Sequence, residues 1–213
     1  GFGSLTAALS VNAKKVVAIE LDRRLENVLN ETLAGCTNVK FIWEDCLKVN
    51  LKKLLEEEFS GMNVSVAANL PYYITTPILM KLIESGFPFD YITVMVQSEV
   101  ADRLCSEVGG KDCGAITASI AYYGEAERIF SVPAELFVPQ PKVNSAVVRI
   151  RMHDEPPVHP KSENIFFRTI KASFEQRRKT LPNSLLTGFP EIGKAGLTEI
   201  IEACGISPMI RGE

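Results

Sequence analysis

The order of elements in this 213-residue chain predicts an α/β fold, a Rossmann-like sheet with helices on both faces, followed by a small helical segment. Three observations carry that prediction. Short β-branched runs alternate with amphipathic stretches of helical period, the pattern of a mostly parallel sheet. A glycine-rich turn opens the chain at Gly1-Phe2-Gly3-Ser4. After Pro160 the strand signals stop and only helical periodicity remains.

The elements follow in order. Lys15 to Glu20 reads as a strand, and Arg23 to Leu33 as a helix with Leu25, Val28 and Leu29 on one side. Val39 to Trp43 is a strand, Leu51 to Phe59 a helix and Val64 to Ala68 a strand. Pro77 to Ile83 is helical, with Thr76 as its N-cap. A strand over Tyr91 to Val96, a helix over Ser98 to Leu104 and another around Ile116 to Tyr122 come next. Ala126 to Phe130 and Ala146 to Arg151 flank a proline-rich turn and are expected to run antiparallel. Met152 to Pro160, with three prolines and two histidines, reads as a linker. Ser162 caps a final helical region with Phe166, Ile170 and Phe174 on its apolar side and Arg168, Lys171 and Arg178 opposite. The expected division is therefore 1–152, a linker at 153–160, and a helical domain at 161–213.

Bulk properties narrow the function. No apolar stretch reaches the roughly 20 residues of a membrane helix, so the expectation is a cytoplasmic protein without a membrane partner. Cys36, Cys46, Cys105, Cys113 and Cys204 show no Cys-x-x-Cys spacing, and with two histidines they predict buried or partly buried reduced thiols rather than a metal site. Residues 1–140 carry 12 basic and 18 acidic groups, net −6, whereas residues 141–213 carry 11 and 8, net +3. A polyanionic partner should therefore engage the later part of the chain.

Four strand ends carry candidate chemistry. The Gly1–Gly3 turn allows close approach of backbone to a ligand and aims helix N–H groups at it. Glu20 ends the first strand, where a carboxylate accepts from both hydroxyls of a ribose. Asp45, beside Cys46, ends the next; it can accept from an adenine amino group or cap the following helix, and both readings stand. No Gly-x-x-x-x-Gly-Lys accompanies them, so the ligand is an adenosine-containing cofactor without a long phosphate chain. Asn69-Leu70-Pro71-Tyr72 ends the third. The Asn69 side-chain oxygen and the Leu70 carbonyl suit the N–H groups of an exocyclic adenine amine, Pro71 fixes the turn, and Tyr72 can stack on a flipped base. A plain turn with a core tyrosine is the competing reading.

Asn69-Leu70-Pro71-Tyr72, the segment Val96 to Arg103, the segment Phe137 to Ser145 and Gln176 to Leu181 together resemble successive motifs of the ribosomal RNA adenine dimethyltransferase family, in order and along nearly the whole chain. Gly110-Lys111-Asp112 before Gly114-Ala115 resembles the bacterial small-subunit enzymes more than the large-subunit resistance methylases.

The resemblance implies transfer of methyl groups from S-adenosyl-L-methionine to N6 of two adjacent adenosines near the 3′ end of small-subunit (16S) rRNA, in ribosome biogenesis. It implies cofactor contacts at Gly1, Gly3, Glu20, Leu21, Asp45, Cys46 and Asn69, and a target base held by Asn69, Leu70 and Pro71 between Tyr72 and Phe137. RNA contacts fall on Lys142, Arg149, Arg168, Lys171, Arg177, Arg178 and Lys179. The partners are small-subunit rRNA and the pre-30S particle, with the protein a monomer. The family's glycine-rich motif begins on a strand before Gly1, mid-sheet between the Val16 and Val64 strands. The chain is thus expected to be part of a longer protein, truncated at its N-terminus and at its C-terminus. The alternatives are a non-catalytic RNA- or DNA-binding assembly or transcription factor on the same fold, a large-subunit rRNA methylase and a DNA adenine methyltransferase.

Overall fold

The structure, a computed structural model, describes residues 1–212, which form two compact units, Gly1–Phe89 and Asp90–Glu213. The boundary falls inside the span expected as one methyltransferase domain, at the start of a strand.

In the first unit α1 (Ser4–Asn12), β1 (Val16–Glu20), α2 (Glu26–Thr32), β2 (Val39–Trp43), α3 (Leu51–Phe59), β3 (Val64–Asn69) and α4 (Thr75–Ile83) follow one another. A 3-10 turn over Arg23–Leu25 leads into α2. β1 and β2 are parallel, in register from Val16 opposite Val39 to Glu20 opposite Trp43. Their carboxyl ends therefore emerge together, the edge at which ligands of such sheets bind. Leu29, Leu33, Leu55 and Leu79 are buried, whereas Val28 faces solvent, so α2 buries a narrower side than its periodicity predicts. Asn38 ties the turn after α1 to β2 by donating from Nδ2 to the Ser10 and Ala13 carbonyls at 2.9 and 2.7 Å.

α4 begins at Thr75, not at Pro77. Pro77 then lies third in the helix, where a missing N–H costs nothing because the first turn has no intrahelical acceptor for it. Thr75 donates its hydroxyl to the Pro71 carbonyl instead of Thr76 serving as cap.

The second unit contains β4 (Phe89–Gln97), α5 (Ser98–Leu104), α6 (Ala115–Tyr123), β5 (Gly124–Val132), β6 (Ser145–Met152), α7 (Glu163–Glu175), α8 (Leu181–Gly188) and α9 (Gly193–Ala203). β6 pairs antiparallel with β4 on one side and with β5 on the other, with a bulge between Arg128 and Phe130. Alternation is strict: Ile92, Val94 and Val96 of β4 and Ala146, Val148 and Ile150 of β6 are wholly buried. Residues 153–160 run without helix or strand from β6 to α7.

Ser162 caps α7 through the Ile165 N–H. α7 ends at Glu175, so Arg178 lies in the following turn and not on the helical face that the spacing suggests. Ala172, Leu185, Phe189, Leu197 and Ile201 form a core shared by α7, α8 and α9. Tyr122 of α6 donates its hydroxyl to Glu163 at 2.8 Å, and the Tyr123 ring stacks on Phe167 with centroids 5.3 Å apart. These contacts join α7 to α6.

All five cysteines are free thiols, Cys113 buried and Cys204 exposed, the latter unlike the expectation. Among the described residues there is no cluster of three potential metal ligands, and no helix is long and apolar enough to cross a membrane.

Candidate functional site

Gly3 is the N-cap of α1 and has φ of 87°, the left-handed region that favours glycine. A Cβ there would lie 3.0 Å from the Leu29 side chain and 3.3 Å from Leu33 and Thr32. Conformation and packing against α2 both demand glycine. The Thr32 hydroxyl donates to the Phe2 carbonyl at 3.1 Å, which holds the turn on α2. The first N–H groups of α1 are thus presented beside a bare backbone.

The Gly1 nitrogen sits 2.8 Å from Glu20 Oε2, bringing the glycine turn and the end of β1 together. Glu20 Oε1 accepts from the Asp22 N–H at 2.9 Å. Partial burial raises the Glu20 pKa, hydrogen bonds from the Asp22 and Leu21 N–H groups lower it, and the net shift is downward. The residue is a carboxylate at neutral pH. Leu21, next in the chain, is exposed and offers an apolar surface.

Asp45 does not cap the following helix, whose N-cap is Asn50; it closes the turn that precedes it. Its Oδ1 accepts from the Leu47 N–H at 2.9 Å and its carbonyl accepts from the Lys48 and Val49 N–H groups. Its Oδ2 makes no hydrogen bond among the described residues and remains an acceptor for a ligand amine. Lys81, which no sequence motif marks, reaches from α4 to donate to the Leu47 and Val49 carbonyls at 2.6 and 2.7 Å. It fixes the loop that presents Asp45 and Cys46. Burial pushes the Cys46 thiol up, so it stays protonated.

At the end of β3, Leu70 is buried and anchors the turn. The Pro71 carbonyl accepts from the Ile74 N–H and from the Thr75 hydroxyl, each at 3.1 Å, locking the turn over Tyr72–Ile74. Asn69 is exposed and its carboxamide makes no hydrogen bond among the described residues. A rigid turn with an unspent amide is built to give that amide to something else. Tyr72 is half-buried and Tyr73 exposed.

In the second unit Phe137 is half-buried, between exposed Leu136 and Val138. Asn144, quoted only as part of a motif, holds this loop: its Oδ1 accepts from the Ala134 N–H at 3.0 Å, and the Ala134 carbonyl accepts from the Phe137 N–H at 3.2 Å.

The basic residues divide. Arg149 is bonded to Glu127 at 2.6 Å and lies over the Tyr91 ring, and Arg168 is paired with Glu191 at 2.8 Å over the Phe189 ring. Both are committed to their own unit. Lys142, Lys171, Arg177, Arg178 and Lys179 are exposed.

The ends of the adjacent parallel strands β1 and β2 carry a glycine-opened helix start and two carboxylates, and the end of β3 carries an exposed amide. The residues fit S-adenosyl-L-methionine: a left-handed glycine that opens α1, a carboxylate at Glu20 and an unspent acceptor on Asp45.

The profile of the ribosomal RNA adenine dimethylase family matches residues 1–202. The ribosomal RNA small subunit methyltransferase A of Alkaliphilus oremlandii is 46% identical over 213 residues, spanning all of this chain and 74% of its relative. That of Bacillus mycoides is 48% identical over 217 residues with the same coverage. Among solved structures, a dimethyladenosine transferase from Plasmodium falciparum superposes with a TM-score of 0.77 at 22% identity, covering all of this chain and 81% of that one. The 23S rRNA methyltransferase ErmE does so with a TM-score of 0.69 at 24% identity and the same coverage. Both share the methyltransferase fold. The chain belongs to the ribosomal RNA adenine dimethylase family, and it is an S-adenosyl-L-methionine-dependent rRNA adenine dimethyltransferase.

Proposed function

We propose that the chain dimethylates N6 of two adjacent adenosines near the 3′ end of small-subunit rRNA, acting as a monomer in the cytoplasm on the pre-30S particle. The observation that carries the catalytic reading is the Asn69 carboxamide, unspent at the end of β3 beside a turn locked by Pro71 and Thr75.

S-adenosyl-L-methionine supplies a methyl group already activated on a sulfonium. The chain's own work is positioning. Asn69 Oδ1 and the Leu70 carbonyl accept from the target amine, which turns its lone pair out of the ring and toward the methyl. Tyr72 stacks on the flipped base, and Phe137 is assigned as a second ring on the strength of its motif. Glu20 and Asp45 hold ribose and adenine groups of the cofactor, with Gly1, Gly3, Leu21 and Cys46 lining its approach. No strong base is needed, because the methylated ammonium is acidic enough to release its proton to water.

RNA contacts fall on Lys142, Lys171, Arg177, Arg178 and Lys179, exposed cations that phosphates can approach. Arg149 and Arg168 serve mainly their own ion pairs. The α7–α9 core supports treating residues 161–213 as a helical RNA-contacting domain after a linker at 153–160, with 1–152 as the methyltransferase domain.

The test is transfer of tritiated methyl groups to undermethylated small subunits by Asn69→Ala, with cofactor affinity measured in parallel. Transfer should fall about a hundredfold or more, in line with loss of a preorganised polar group that acts in the transition state, while cofactor affinity changes little. Full activity in the variant refutes the assignment.

A further inference from the structure

The corner between α7 and α8 holds an open surface cleft that methyl transfer does not use. Its volume is about 370 Å³ and it is lined by Gln176, Lys179, Asn183, Leu186 and Thr187. That is within the range of small-ligand pockets and large enough for one nucleotide.

The walls are fixed by the chain itself. The Gln176 carbonyl accepts from the Lys179 N–H at 2.8 Å and from the Ser184 hydroxyl at 3.1 Å, Ser184 being wholly buried. Asn183 donates from Nδ2 to the Thr180 hydroxyl at 2.8 Å, and Thr187 donates its hydroxyl to Glu175 at 2.6 Å. Leu186 packs against the α7–α8–α9 core and supplies an apolar surface. Against this frame the Gln176 carboxamide and the Lys179 ammonium make no bond among the described residues. The Asn183 oxygen is likewise unspent.

The set is selective. A bare anion would use Lys179 but has no need of Leu186 or two amides. An apolar ligand would use Leu186 alone and gain nothing from the ammonium and the two amides, which water reaches. A nucleotide matches all of them: a flat base with an apolar face for Leu186, donor and acceptor edges for Gln176 and Asn183, and a phosphate for Lys179. Unpaired bases are the part of a structured RNA that proteins read this way.

We propose that this cleft is a nucleotide subsite for an unpaired rRNA base other than the methylated one. The proposal rests on the reading of the chain as an rRNA methyltransferase, and its role would be to fix how the rRNA lies on the helical segment.

The test is an amide NMR titration of the full chain with AMP, GMP, CMP and UMP, and with ribose 5-phosphate and inorganic phosphate as base-free probes. The Gln176 and Asn183 side-chain resonances should shift saturably with at least one nucleotide, about tenfold more weakly with ribose 5-phosphate given what stacking and edge contacts contribute. Gln176→Ala, an exposed change, should weaken that nucleotide about fivefold or more. Equal response to ribose 5-phosphate or phosphate, or no saturable response, overturns the subsite. Nucleotide bound elsewhere shifts other resonances and does not count. Methyl transfer by the wild-type chain, run on the same preparation, reports the underlying function separately: active protein with silent Gln176 and Asn183 amides refutes the subsite alone.

Discussion

Replacing Asn144 with alanine should impair rRNA methylation without touching the cofactor. Asn144 Oδ1 accepts from the Ala134 N–H at 3.0 Å, and Ala134, itself buried, in turn accepts from the Phe137 N–H at 3.2 Å. The alanine variant leaves a partly buried N–H without an acceptor, a penalty of about 1–3 kcal/mol borne by the ordered form of the loop. Each 1.4 kcal/mol is a factor of ten, so a penalty of about 1.4 kcal/mol, within that range, lowers the share of time Phe137 is held in place about tenfold. The Asn144 carbonyl still accepts from the Ser98 N–H at 2.9 Å, and β6 is unaltered, so global stability should change little. Initial rates of tritiated methyl incorporation, measured over a range of small-subunit concentrations, should show kcat/KM down about tenfold with cofactor affinity unchanged. Asn144→Asp keeps an oxygen acceptor and should recover most of the loss. An alanine variant as active as wild type, or an aspartate variant as poor as alanine, refutes the positioning role.

Two further predictions concern stability. Glu58 is paired with both Lys15 and Lys40, and those partners lower its carboxyl pKa from the ordinary 4.5. A lowered folded pKa means the stabilisation is complete above the ordinary value and is lost as pH falls through the lowered one. The urea midpoint of wild type should therefore exceed that of Glu58→Gln at neutral pH, and the gap should close in acid; a gap that persists there contradicts the pairing. Gly124 has extended backbone any residue can adopt, but an added Cβ would overlap the Arg151 carbonyl of β6. Gly124→Ala should cost about 1–3 kcal/mol or more, a fall of several degrees in thermal midpoint by circular dichroism, whereas Gly35→Ala, which meets nothing within 4 Å, should not. Equal midpoints for the two would show that the strand edge yields.

Elements whose two ends carry local signals were legible to the residue. α3 spans Leu51–Phe59 as expected because Asn50 caps it through the Lys53 N–H, and β2 spans Val39–Trp43 because its β-branched and aromatic run is bounded by Asn38 before it and Glu44-Asp45 after it. α4 was misjudged by two residues because Pro77 looks like a helix start from sequence alone. The decisive contact, Thr75 to the Pro71 carbonyl, depends on a turn that forms only once Leu70 is buried. Arg149 and Arg168 counted as free cations in a basic region, yet their partners lie 22 and 23 residues away in sequence and meet them only through strand register and helix packing.

The same distinction explains which parts of the site a sequence can show. Asn69, Glu20 and Asp45 stand at strand ends, and β1 and β2 run parallel in register, so two of those ends converge as a consequence of topology. Lys81 and Asn144 bind no proposed ligand. They hold the Asp45 and Phe137 loops through backbone carbonyls and amides, groups every residue possesses and no sequence pattern marks. A reaction that needs alignment more than acid or base strength depends on such supports as much as on the residues that touch substrate. On the proposed mechanism the chemistry rests on the Asn69 amide, and its precision on the Lys81 and Asn144 side chains that keep two loops still.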